Sequence, residues 1–293
     1  MPMIPSRETT IRYISERRCE SGGYCFYRLD EPNAGDTFHA LASLAMLGAL
    51  PRDDEPTRTY LHSFQHQDGS FSNVNVGYAV IKSLVLLSDR PAIDPAGWIL
   101  ASMTVPTDIP RPVESTSLFE PLFHLTDLCR LLRITIPASR KKEIIQAILH
   151  YRNPDEGYGL PDSAMIETAH ALAILTTVNN DTSLQPSVRF LQQCEDPDYG
   201  FHSVSGARPP FLEQIHAGVL ACSVLGYPSP ALGPCEEFIR KCCRENGGYV
   251  RSVFGGSATL ENTYFALDAL AMVRDIRLRS KTSGPAHGME ILS

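Results

Sequence analysis

The sequence has no run of lysine and arginine long enough to follow a phosphate backbone, and its formal charge is -7 over 293 residues. A chain with that balance is not built for nucleic acid or for an anionic membrane surface. Its one basic cluster, Arg140-Lys141-Lys142, opens a predicted helix and reads as a solvated face. Long hydrophobic runs are missing as well. The longest apolar stretch, near residues 40–50, is interrupted by Ser43 and Gly48 and is too short to span a bilayer. The opening residues, MPMIPSRETT, carry no signal-peptide apolar core. The expectation is a soluble, cytoplasmic protein without a transmembrane segment. None of the eight cysteines, Cys19, Cys25, Cys129, Cys194, Cys222, Cys235, Cys242 and Cys243, forms a CxxC pair. Most sit inside apolar helical pattern, so they are expected to be reduced, buried, small hydrophobes. A Walker loop, a dinucleotide fingerprint and a nucleophile elbow are also lacking, which removes the common nucleotide and hydrolase motifs.

What is present is a repeat. Glycine before an aromatic recurs at Gly22-Gly23-Tyr24, Gly69-Ser70-Phe71, Gly157-Tyr158, Gly200-Phe201 and Gly247-Gly248-Tyr249, mostly after acidic or amide residues. These are turn compositions. After each turn a polar residue opens an Ala/Leu-rich stretch. The starts are DTFHAL at Asp36, NVGYAV at Asn75, EPLFHL at Glu120, ETAHAL at Glu167, EQIHAG at Glu213 and NTYFAL at Asn262, spaced by 39 to 49 residues. The third unit lacks the glycine turn and has Pro106, Pro110 and Pro112 in its connection. Before each turn lies a second helical stretch with apolar residues at i, i+3 and i+4, as in Ile144, Ala147, Ile148 and Tyr151, giving one buried stripe and one wet face. The stretches after the turns are apolar nearly all round, which predicts burial on all sides. Each unit is therefore an outer helix, a turn and an inner helix. Six such units cannot bury their inner faces singly. With no polar capping unit at either end, closure into a ring is favoured over an open solenoid. The expected organisation is one domain over residues 1–276 and a flexible C-terminal tail over 277–293.

The run Gln65-His66-Gln67-Asp68-Gly69-Ser70-Phe71 resembles the glutamine–glycine–aromatic motif of a repeat shared by squalene and other terpene cyclases and by protein prenyltransferase β subunits. DTFHALASL, ETAHALAIL and NTYFALDAL resemble the inner-helix starts of that superfamily, and the resemblance covers nearly the whole chain. It implies an all-α fold, an α/α toroid of six helical hairpins (an α6–α6 barrel) with an aromatic-lined central cavity. It also implies an isoprenoid ligand, either a polyprenyl chain or its diphosphate, and an α-helical partner subunit of the kind β subunits pair with. Fold is implied more firmly than activity. Prenyltransferase β subunits hold zinc with Asp and Cys two apart at the fifth inner helix and His at the sixth. The matching positions here are Glu213, Ile215 and Asn262; isoleucine cannot ligate, and asparagine is a poor substitute for imidazole. Class II terpene cyclases use Asp-x-Asp-Asp with the middle Asp as acid. The nearest match, Asn33-Ala34-Gly35-Asp36, has glycine in the acid's place. The chain keeps the superfamily's frame and neither catalytic set.

Within that frame three inner helices start with acid-x-x-His: Asp36/His39, Glu167/His170 and Glu213/His216. Residues three apart share a helix face, so in a closed ring these groups would stand at one height around the cavity. Three readings stay open. In one, Glu167, His170, Glu213 and His216 bind a divalent metal such as Fe, Mn or Zn, in the manner of carboxylate-bridged dimetal bundles. In another, the pairs perform general acid–base catalysis without a metal. In the third, the acids cap helix N-termini and the histidines pack between helices. Asn75 and Asn262 at the acid position favour capping. Tyr78, Phe123 and Phe265 at the histidine position favour packing, or else line a prenyl tunnel as substrate contacts. Arg208 and Arg251, in connections before inner helices, are the cations a diphosphate would want. The expected activity is isoprenoid processing of the prenyltransferase or terpene cyclase kind, by transfer or by cyclisation. The alternative is a non-catalytic prenyl-lipid-binding protein or β-like interaction subunit.

Overall fold

The structure, a computed structural model, describes residues 6–26, 31–51, 54–105, 117–179, 184–204, 206 and 210–282. Six outer helices are α1 (Arg7–Ser15), α3 (Glu55–His62), α5 (Ala96–Ser102), α7 (Ala138–His150), α9 (Val188–Cys194) and α11 (Leu232–Cys242). They alternate along the chain with six inner ones, α2 (Ala34–Met46), α4 (Val74–Leu86), α6 (Glu120–Leu132), α8 (Met165–Asn179), α10 (Leu212–Leu225) and α12 (Leu260–Thr282). The last helix thus runs to Thr282, past residue 276. Ser6, Asn33, Asp54 and Asn73 cap the first four helices, each side-chain oxygen accepting from a backbone N–H three residues on.

The inner helices pack in cyclic order: α2 on α4, α4 on α6, α6 on α8, α8 on α10, α10 on α12, and α12 back on α2. The fold is the all-α toroid. Closure is also visible in the turns. A Cβ on Gly22 would lie 2.4 Å from the backbone of Pro56, at the start of the next outer helix. A Cβ on Gly247, in the last unit, would lie 2.5 Å from the backbone of Thr9 in the first. Both glycines have positive φ, 92° and 88°. The sixth turn therefore docks on the first outer helix just as the first turn docks on the second.

The motif aromatics Tyr24, Phe71, Tyr158, Phe201 and Tyr249 are buried. Burying the aromatic carries its backbone amide inward too, where it needs a partner. A threonine in the first turn of the inner helix supplies one: the amides of Tyr24, Tyr158 and Tyr249 donate to Oγ1 of Thr37, Thr168 and Thr263 at 3.0, 2.9 and 3.2 Å. Two antiparallel ribbons decorate the turns of the last two units. In the fifth, β1 (Glu195–Asp196) pairs with β2 (Gly200–Phe201); in the sixth, β3 (Tyr249–Ser252) pairs with β4 (Gly255–Thr259). The cysteines are free, seven of them buried and Cys243 half-buried.

Candidate functional site

Each inner helix carries buried and half-buried rings in a stripe that meets those of its neighbours. The rings on these stripes touch in succession across the helices. His170 of α8 stacks on Phe123 of α6 with centroids 4.5 Å apart, and the adjacent His124 stacks on Tyr78 of α4 at 3.9 Å. Tyr78 meets Phe38 of α2 edge-on at 5.8 Å. Next to Phe38, His39 stacks on Tyr264 of α12 at 5.3 Å, and Phe265 reaches His216 of α10 at 4.9 Å. The result is a belt of aromatic and imidazole rings drawn from all six inner helices.

Charged groups are set into this belt. Lys82, one turn below Tyr78, donates to Asp127 Oδ2 at 2.8 Å, and the Tyr78 hydroxyl donates to the same oxygen at 3.2 Å. Arg130 holds the other oxygen of Asp127 at 2.6 Å. Burial pushes the Asp127 carboxyl up, but the Lys82 ammonium and the donated hydrogen bonds outweigh it and hold the group below its ordinary value. On the opposite arc, His216 Nε2 lies 2.8 Å from Asp268 Oδ2 on α12. Burial pushes the hydroxyls of Tyr78 and Tyr264 well above their ordinary range, and the charges of Asp127 and Asp268 add to it. Both phenols therefore stay protonated.

The other three imidazoles of the belt, His39, His124 and His170, are neutral. Burial lowers His39 to about 4 and His170 to about 3, with smaller contributions from His124 and His216, so the four rings share one electrostatic space. Burial lowers His124 to about 4 as well. The Nδ1 atoms of His39 and His170 are buried without a hydrogen-bond partner.

The acids of the three acid-x-x-His starts lie one turn nearer the mouth, in the first turns of their helices. Asp36 accepts from Asn33 Nδ2 at 2.7 Å and from the Phe26 amide at 3.2 Å. Glu213 accepts from Arg251 Nε at 2.8 Å, and the Arg251 guanidinium lies 4.2 Å above the Phe211 ring. The carboxylate that faces His216 is thus Asp268 of the neighbouring helix, with Glu213 turned to Arg251. Glu167 stands in the first turn of α8. Arg208 lies outside the described residues, as do Pro106, Pro110 and Pro112 of the third connection.

The positions that resemblance assigns to zinc do not fit a metal. Glu213 is engaged by Arg251, Ile215 is fully buried in the core, and Asn262 offers an amide. The set Glu167, His170, Glu213 and His216 is not brought together either: His170 stacks on Phe123 and His216 bonds Asp268. Among the described residues no group of three or more His, Cys, Asp or Glu side chains is arranged to hold a metal ion. Two concavities among the described residues lie away from the belt, one between Pro228–Gly233 and Ile276–Lys281, the other around Arg18 and Asp54.

Motif alignment did not single out Lys82, Asp127 or Asp268. Each is nonetheless a charge within the Ala/Leu-rich part of an inner helix, among apolar neighbours, a position that charge rarely occupies unpaired. Each also falls one turn beyond a belt residue, on the same face.

The family described as the Prenyltransferase alpha-alpha toroid domain matches residues 4–87 and 110–281. The chain belongs to this family. Among solved structures, the toroid is similar to Candida albicans protein geranylgeranyltransferase-I complexed with GGPP, at 13% identity and TM-score 0.68, over 91% of this chain and 90% of that one. It is also similar to a crystal structure of a protein from Actinoplanes, at 14% identity and TM-score 0.55, over 92% of this chain and 100% of that one. At such identities these two likenesses speak for the toroid fold alone. No curated protein matches the sequence. No helix among the toroid's described residues is long and apolar enough to cross a membrane.

Proposed function

We propose that this toroid is an isoprenoid-processing enzyme whose chemistry is acid–base, run from the belt at the centre of the ring. Membership of the prenyltransferase toroid family, and the GGPP bound by its Candida structural relative, support an isoprenoid ligand. The observation that carries the catalytic reading is the placement of two hydrogen-bonded charged clusters, Lys82–Asp127–Tyr78 and His216–Asp268, inside a wall of aromatic rings. Bringing charges into such surroundings is costly unless they are paired, and paired, partly desolvated titratable groups mark candidate functional sites.

The roles follow from the geometry. Asp268 fixes the tautomer and orientation of His216, so His216 takes a proton from, or returns one to, a substrate carbon or oxygen. Tyr78 and Tyr264, held protonated, serve as hydrogen-bond donors or weak acids. His39 and His170, neutral at pH 7, present ring faces to an apolar chain. Phe123 and Phe265 supply the rest of the wall, and no step uses a metal. The acid-x-x-His acids, Asp36, Glu167 and Glu213, sit at the mouth and orient what enters.

The test is turnover. The protein is incubated with geranyl, farnesyl and geranylgeranyl alcohols and diphosphates, and products are read by mass spectrometry for wild type, His216→Ala and Asp268→Asn. Product formation that falls about a hundredfold or more in both variants, with helical circular dichroism unchanged, is the expected result. The absence of both standard catalytic sets favours a second reading, a prenyl-lipid carrier. Ligand retained with no turnover by any variant would select it.

A further inference from the structure

Resting on the isoprenoid reading above, we infer that the toroid takes an isoprenoid without a diphosphate: a neutral chain, alcohol or carbonyl compound. The argument lies in the charge at the mouth. The N-terminal turns of the inner helices face one end of the ring, and free helix N-termini are natural anion sites, where amides and the helix dipole would cradle a diphosphate. Here five of the six carry a carboxylate in or beside that turn: Asp36, Glu120, Glu167, Glu213 and Glu261. Four of these carboxylates share one space. Glu261 is exposed, yet its carboxyl is raised, first by the protein mass packed beside it and then by the charges of Glu213, Asp36 and Glu120 on three other helices. A diphosphate arriving there would meet carboxylates where a phosphate site needs donors.

Among the described residues, two cations near its path are already engaged. Arg251 is bound to Glu213 at the mouth, and Lys82 is bound to Asp127 in the belt. Deeper in the ring the ligand meets aromatic faces, neutral imidazoles and protonated phenols beside charges already paired with each other, Lys82 with Asp127 and His216 with Asp268, which suits an apolar chain ending in at most a hydroxyl or carbonyl.

Isothermal titration of the full chain with farnesol and with farnesyl diphosphate, each with Mg2+ and with EDTA, tests this. Farnesol binding at least about tenfold tighter than the diphosphate in both conditions is expected. The gap should narrow in Glu120→Gln/Glu261→Gln and at high salt, because both weaken the repulsion. Equal or tighter binding of the diphosphate, with or without Mg2+, overturns the inference and leaves the isoprenoid reading standing. Failure of both ligands to bind sinks the isoprenoid reading and this inference with it.

Discussion

At the scale of the residue, the imidazoles of the belt are set by burial. His39 and His170 fall to about 4 and about 3 from an ordinary 6.5. A group whose folded value is lowered takes its proton more readily in the unfolded chain. Its contribution is therefore complete above pH 6.5 and is lost as pH falls from there toward 4. For one such histidine the loss reaches up to about 2 kcal/mol by pH 5. His170→Phe keeps the stack on Phe123 and removes the titration. Urea denaturation at pH 7.5 and pH 5 should show the wild type losing more stability over that interval than His170→Phe. An equal loss in both proteins would mean that His170 is already protonated, or already solvated, in the fold. The three acid-x-x-His starts were readable because spacing alone puts both residues on one face. That Asp268 and not Glu213 meets His216 was not readable, because the pairing crosses between helices whose rotation depends on packing.

At the scale of the element, each Gly-aromatic turn is the joint between neighbouring units. Gly247 combines a φ of 88° with backbone 2.5 Å from any added Cβ, and the atoms it would strike belong to α1, at the far end of the chain. Gly247→Ala is expected to cost roughly 3 kcal/mol, with a fall in melting temperature measurable by circular dichroism. Gly97, where a Cβ meets nothing within 4 Å, is the control: Gly97→Ala should be neutral or slightly stabilising. The glycines and aromatics of these turns are plain in the sequence, since a turn needing positive φ favours glycine. Less plain is the threonine that accepts none of the attention in a motif search but receives the aromatic's amide; its role appears only once the aromatic is seen to be buried.

At the scale of the molecule, α12 touches both α10 and α2, so the last inner helix bridges the chain's two ends. A chain ending at Thr259 would leave the inner faces of α2 and α10 uncovered. Such a truncation should lose the cooperative thermal transition as a whole, measured by circular dichroism and calorimetry. A surviving transition with only a modest drop in melting temperature would show that five units fold as an open array. The result separates a ring, in which every interface depends on closure, from a solenoid, in which interfaces add one by one.

The sequence by itself determined the hairpin unit, its sixfold recurrence, the helix class and the toroid, because these follow from local rules: periodicity sets the buried stripe, glycine sets the turn, and matching inner faces demand neighbours. It also showed that the zinc triad and the cyclase acid were missing, since Ile215 and Gly35 have no chemistry to offer in their places. The tertiary structure decided which side chains meet. Lys82 finds Asp127, His216 finds Asp268, and Arg251 draws Glu213 away to the mouth. These contacts join residues 38 to 52 positions apart on adjacent elements, and a partner at that separation is fixed by how closely two helices pack and how each is turned about its axis, which no single segment encodes.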